Sequence, residues 1–144
     1  MKRIVLLLIV VIICSCQGNK KHEEGNSQMQ KVMAIHDEVM PKMGTLGKLV
    51  SQLKDKVDTT ATGKQYQQAM KDLQKSNSAM MDWMKGFGDR FDSDEILNGK
   101  ELTPEKQAWL DEEEAKVKAL KEQINTSIAN AEKLLANSEE KIFN

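Results

Sequence analysis

Apolar residues recur along the chain from residue 28 at a heptad spacing, and three long runs keep it. In the first, Met29, His36, Met43, Val50 and Val57 form one row, and Val32, Val39, Leu46 and Leu53 a second. Side chains at such spacing share one face of a helix. The pattern predicts a helix over about 28–57. Pro41 falls inside it, and proline removes a backbone donor and crowds the carbonyl four residues back. The heptad stays in phase across Pro41, so a kink is expected, not a break. A polar turn follows at Asp58-Thr59-Thr60-Ala61-Thr62-Gly63. A second helix is expected over about 64–88, with Tyr66, Leu73, Met80 and Phe87 in one row and Met70, Asn77 and Met84 in another, Phe91 continuing the latter. Residues 89–102 read as an irregular loop. Thr103-Pro104 then supplies a capping hydroxyl followed by proline at the first helical position. It opens a third helix over about 104–140, with Leu110, Val117, Ile124 and Ala131 as its inner row and Leu120 and Leu134 beside it.

No run of alternating β-branched residues appears, so strand signals are absent. The expected fold is all-α: a three-helix, up-down-up antiparallel bundle of coiled-coil character. The few bulky rings (three Phe, one Tyr and two Trp) fit a slender core of Leu, Val, Met and Ala.

The first sixteen residues do not belong to that pattern. Lys2 and Arg3 precede an unbroken apolar run from Ile4 to Ile13. This is the layout of a secretory signal, and it is too short for a spanning helix, which needs about 20 apolar residues. Ile13-Cys14-Ser15-Cys16 resembles the bacterial lipobox, with Ser15 as the small residue before the acylated cysteine. Residues 1–15 are thus expected to leave as a signal peptide, and Cys16 to carry lipid. Cys14 would leave with the signal, so no free thiol remains for disulfides or catalysis. Residues 17–27 are polar and hold no aliphatic side chain, so 16–27 reads as a flexible lipidated tether and 28–144 as the bundle. Two or three acyl chains anchor a protein firmly, since each buried methylene adds about 0.8 kcal/mol. Gln17 replaces the Asp that favours inner-membrane retention, which points to the outer membrane.

Removing the signal takes the formal charge from −1 to −3, since Lys2 and Arg3 leave with it. With no basic face and few aromatics, nucleic acid is not an expected partner. Enzyme signatures are lacking too: there is no nucleophile elbow, zinc helix or paired-glycine fingerprint. Asp92 to Gly99 fails as a calcium loop because Ile96 stands where an oxygen ligand is needed, and Gly44 to Leu49 fails as a phosphate loop.

Folding the second helix back about the turn near residue 60 places residues level when their numbers add to about 120. Met84 then faces His36, and Met80 faces Met40, with Trp83 beside them. His36, Met40, Met80 and Met84 form the candidate metal set. Thioethers and imidazole suit Cu(I), and an indole face attracts cations. The competing reading is that methionine fills irregular gaps in a core. Asn77, polar on an apolar row, is read as fixing helix register. Asp58-Thr59-Thr60 resembles a short periplasmic O-glycosylation signal, with Thr59 as acceptor.

Two segments, Ile35-His36-Asp37-Glu38-Val39-Met40-Pro41-Lys42-Met43 and Ala79-Met80-Met81-Asp82-Trp83-Met84, resemble blocks in small lipoproteins of the Bacteroidota, loosely labelled viral A-type inclusion protein-like. Val117-Lys118 and Ile124 to Lys133 resemble the closing segment of that family. The resemblance spans most of the mature chain. It implies a helical fold and an envelope location, and it brings no activity. The function expected is a non-enzymatic, lipid-anchored structural or protein-interaction module with an envelope protein as partner. The alternative is a copper-binding or copper-sensing lipoprotein.

Overall fold

The computed structural model describes the backbone of residues 17–143 and the side chains of 25–137. The signal segment and Cys16 lie outside the described residues. Within them every regular element is a helix: α1 (Gln17–Val39), α2 (Lys42–Lys54), α3 (Ala61–Arg90), α4 (Ser93–Leu97) and α5 (Pro104–Phe143). None is long and apolar enough to cross a membrane.

The inner rows fall largely where the heptads put them. Val32, Val39, Leu46 and Leu53 are fully buried, as are Leu73, Met80, Leu110, Val117, Ile124 and Ala131. Burying a side chain of this size contributes roughly 1.5–3 kcal/mol relative to leaving it exposed. These rows make one continuous core.

Polar contacts fix how the helices run. On α5, Lys121 pairs with Glu38 at 2.8 Å and Asn125 accepts from Lys42 at 2.6 Å. Both pairs are 83 residues apart, so α1 and α2 run in the same direction as α5 and share one register against it. On its other side α5 meets α3 in the opposite sense. Ser76 bonds Ser127 and Arg90 bonds Glu113, numbers that rise along one helix as they fall along the other.

Pro41 splits the first predicted helix into α1 and α2. Its backbone stays helical (φ −60, ψ −24), and Met43 N–H donates to Met40 at 3.1 Å across the gap. The missing donor interrupts the ladder without shifting the register on α5, as the in-phase heptad requires.

Three expectations are overturned. Residues 17–27, read as a flexible tether, are helical and continuous with α1. This stretch has no aliphatic side chains to signal a helix, yet it is rich in Gln, Lys and Glu, which are good helix formers. Gly25 is buried, and a Cβ there would lie 2.6 Å from Gln107 Oε1 on α5. The approach is made by bare backbone, which a hydrophobic pattern does not register.

The loop over 89–102 also contains a helix. Asp92 accepts from Glu95 N–H at 2.9 Å while the Glu95 carboxylate accepts from Asp92 N–H at 2.8 Å. This reciprocal cap was legible as Asp-x-x-Glu, and it starts α4. Gly99, at φ 68, closes the segment against Asn26.

Asn77 is the third. It is exposed, and so is Met84 at 37%. The inner face of α3 turns instead through Ala69, Ser76 and Trp83, one residue before the expected second row. Over a helix as long as α3, two adjacent heptad rows differ by a rotation that the pattern alone does not fix.

The turn into α3 yields a prediction. Thr60 caps the helix by accepting from Gly63 N–H at 3.0 Å, and Asp58 accepts from the Thr60 N–H at 2.9 Å. A Cβ on Gly63 would fall 1.8 Å from Asp58 Oδ1 and 2.6 Å from the Asp58 backbone nitrogen. Gly63→Ala is expected to destabilise the domain by about 1–3 kcal/mol, the usual cost of overpacking. Gly47→Ala meets nothing within 4 Å on the exposed face of α2 and is expected to stabilise by about 0.4–1 kcal/mol. Urea unfolding followed by circular dichroism reads both.

Candidate functional site

Of the proposed metal set, His36 meets Trp83 on α3. His36 lies opposite Trp83, with ring centroids 5.8 Å apart and planes tilted by 31°. The ring is mostly buried, its side chain 14% exposed, and its Nδ1 sits 2.9 Å from Asp37 Oδ1. Trp83 in turn stacks on Phe87 at 5.0 Å, and Phe87 meets Phe91 at 4.9 Å. A ladder of four rings thus ties the last turn of α1 to the end of α3. Burial divides the thioethers. Met80 is fully inside, Met40 is half-buried, and Met84 is among the exposed large apolar side chains. Among the described residues, no group of three or more His, Cys, Asp or Glu is placed to hold a metal ion. Thr59 stands exposed in the turn before α3.

Sequence reasoning missed the polar parts of the core. Ser76 and Ser127 are buried and 3.1 Å apart across the α3–α5 seam. Each is also 2.9 Å from a carbonyl of its own helix, that of Asp72 and that of Ile124. Serine at these places looks like a surface residue in a heptad count. A buried hydroxyl must be paired, and here each one bonds its own helix while the contact between the two forms only where the helices are in register. This seam carries the register role expected of Asn77.

Farther along, the Glu113 side chain is 4% exposed and held by two cations, Arg90 at 3.0 Å and Lys116 at 2.9 Å. Arg90 also reaches Glu112 at 2.8 Å, and its guanidinium lies 5.5 Å from the Trp109 ring centroid. The bond from Arg90 holds the Glu112 carboxyl below its ordinary range, with the nearby charge of Arg90 adding to it. Glu95 is a second buried carboxylate, clamped by Lys106 at 2.6 Å. In the acidic run Glu112-Glu113-Glu114 the middle member turns inward.

A cleft of about 500 Å³ opens where α1, α4 and the start of α5 meet. Gln28 is its central side chain. Its amide nitrogen donates to Asp111 at 2.9 Å and Glu114 at 2.7 Å, and its oxygen accepts from Gln107 at 2.6 Å. The bond from Lys118, followed by that from Gln28, lowers the Glu114 carboxyl. Lys100, bonded to Asp92, lowers that carboxyl in the same way. The cleft offers amides, carboxylates and the Lys100 ammonium to a polar ligand.

These shifts fix a pH dependence. The folded chain binds protons to Glu112, Glu114, Asp92 and Glu38 less readily than the unfolded chain does. The stability they add is present above the unfolded values, about 3.9–4.3, and is lost as pH falls through the lower folded ones. The urea midpoint is therefore expected to hold steady from pH 7 to 5 and to fall below about pH 4. Arg90→Met should cost about 1–3 kcal/mol at neutral pH, because Glu113 stays buried with one cation removed. A midpoint unchanged in that variant would show that Lys116 suffices. No protein-family model, curated protein or solved structure matches this chain, so its own residues carry the functional reading.

Proposed function

We propose that this chain is the precursor of a lipid-anchored envelope protein whose domain is a non-enzymatic interaction module. The observation that carries the reading is the opening sequence: Lys2-Arg3, the apolar run Ile4 to Ile13, and Ile13-Cys14-Ser15-Cys16. Residues 1–15 are the signal peptide, Cys16 bears the lipid, and Gln17 favours the outer membrane. On this reading the chain joins the small lipoproteins of the Bacteroidota that it resembles.

The mature domain is best described as three rods, up-down-up, with α1 and α2 making one rod, α3 the second and α5 the third. The shared register of α1 and α2 on α5 supports that description. A helical lead-in at 17–27 makes the anchor a stiff spacer, extending about 1.5 Å per residue. Buried groups along the seams are occupied with one another: Ser76 with Ser127, Glu113 with Arg90 and Lys116, Glu95 with Lys106. Side chains engaged in this way hold a shape. That supports binding over turnover, with a protein of the envelope as partner.

Cys16→Ser tests the anchor. Cells fed radiolabelled fatty acid should label the parent chain and not the variant, and the variant should keep its signal. Label entering Cys16→Ser would overturn the lipoprotein reading.

A further inference from the structure

Met33, His36 and Met40 stand at i−3, i and i+4 on one stripe of the first rod. At about 100° per residue, both methionines project within about 60° of His36, on the side away from Val32 and Val39. Met40 lies just past the end of α1, yet its N–H still donates to the His36 carbonyl at 3.0 Å. That bond holds it one turn beyond the imidazole. Residues so spaced have Cβ atoms about 5–6 Å apart. All three side chains are partly buried, and both methionines pack against the core. A methionine has three rotatable bonds, so its sulfur reaches across such a gap.

The imidazole is set for ligation. Its Nδ1 lies 2.9 Å from Asp37 Oδ1, and an ionised carboxylate can only accept. The neutral ring therefore carries its proton on Nδ1 and its lone pair on Nε2, which has no hydrogen bond among the described residues. A carboxylate bonded to the far nitrogen is what orients metal-binding histidines in general and raises their basicity. The Trp83 ring centroid is 5.8 Å from that of the imidazole, and an indole face attracts a cation placed beside it. The donors are two thioethers and one imidazole, with no carboxylate among them. Soft donors of this kind select Cu(I), whereas Mg(II) and Ca(II) take oxygen ligands and structural Zn(II) takes thiolates with imidazoles.

We propose that Met33, His36 Nε2 and Met40 form a Cu(I) site, with Asp37 positioning the imidazole and Trp83 lying beside the bound ion. Met80, fully buried, and Met84, at the surface of α3, are not part of it. All three donors offer lone pairs, so binding needs no electron transfer and releases no proton. The site rests on neither the lipid anchor nor a protein partner, and it stands or falls separately from them.

The test is an anaerobic titration with Cu(I) against a chromophoric chelator. It uses the full chain in non-ionic detergent, with Cys14 and Cys16 changed to Ser so that no thiol competes. The parent is expected to take one equivalent of Cu(I) from the chelator. Met33→Leu and Met40→Leu keep the side-chain volume and should each weaken binding by about tenfold or more. Asp37 is 73% exposed, so Asp37→Ala should leave the fold intact while weakening binding about 10–100-fold, the usual effect of removing the group that orients a ligating histidine. Met81→Leu, at a 47% exposed thioether outside the site, should bind like the parent. Circular dichroism checks that all the chains are folded. The chain has two tryptophans, so in a Trp109→Phe background Trp83 is the one that reports. Its emission should change in step with Cu(I) up to one equivalent and not respond to Zn(II). A parent that takes no copper at micromolar chelator overturns the proposal. So does a Met81→Leu loss as large as those of Met33→Leu and Met40→Leu, or a Trp83 emission indifferent to bound copper.

Discussion

Leu110, Val117, Ile124 and Ala131 give α5 a fully buried row, and the rest of the chain is registered against it. On one side α5 meets α1 and α2 in parallel, and on the other it meets α3 in the opposite sense. Apolar rows alone would let these helices slide by a turn, because one leucine is much like the next. What stops them is a small set of paired polar atoms. Ser76 and Ser127 bond inside the α3–α5 seam, and Glu38–Lys121 and Lys42–Asn125 do the same job at the edge of the α2 side.

Those pairs act very differently in strength. The exposed ion pair of Glu38 with Lys121 contributes little, since surface pairs are worth at most about 1 kcal/mol. The serine pair matters through its alternative. Slipping α3 by a turn would break the Ser76–Ser127 contact and leave each buried hydroxyl only the carbonyl of its own helix. The same logic covers Glu113, which would be intolerable in the core without Arg90 and Lys116. Polar groups here specify the arrangement, while the aliphatic rows supply most of the driving force.

The ring ladder from His36 through Trp83 and Phe87 to Phe91 shows how a chemically suggestive set can have a packing role. Counting back from the turn puts both Trp83 and Met84 opposite His36, and the ring contact is made by Trp83. Which of the two turned inward depended on the rotation of α3 about its own axis. The indole went in, and the Met84 thioether stayed at the surface. An aromatic side chain buries far more area than it costs in ordering, so it wins the inner position.

The sequence by itself determined the helical class, the three long runs, a turn at Asp58 to Thr60, and the inner rows through Leu53, Leu73 and Ile124. Periodicity reports which residues must leave water, and that demand is local to each helix. Only the tertiary structure decided the face of α3, the buried serines and Glu113, the short helix α4 and the extension of α1 back to Gln17. Each of these depends on a partner far along the chain: Ser76 on Ser127, Glu113 on Arg90, Gly25 on Gln107. A polar residue or a glycine carries no sign of whether such a partner will be there, because the free energy of burying it is set by the neighbour it meets.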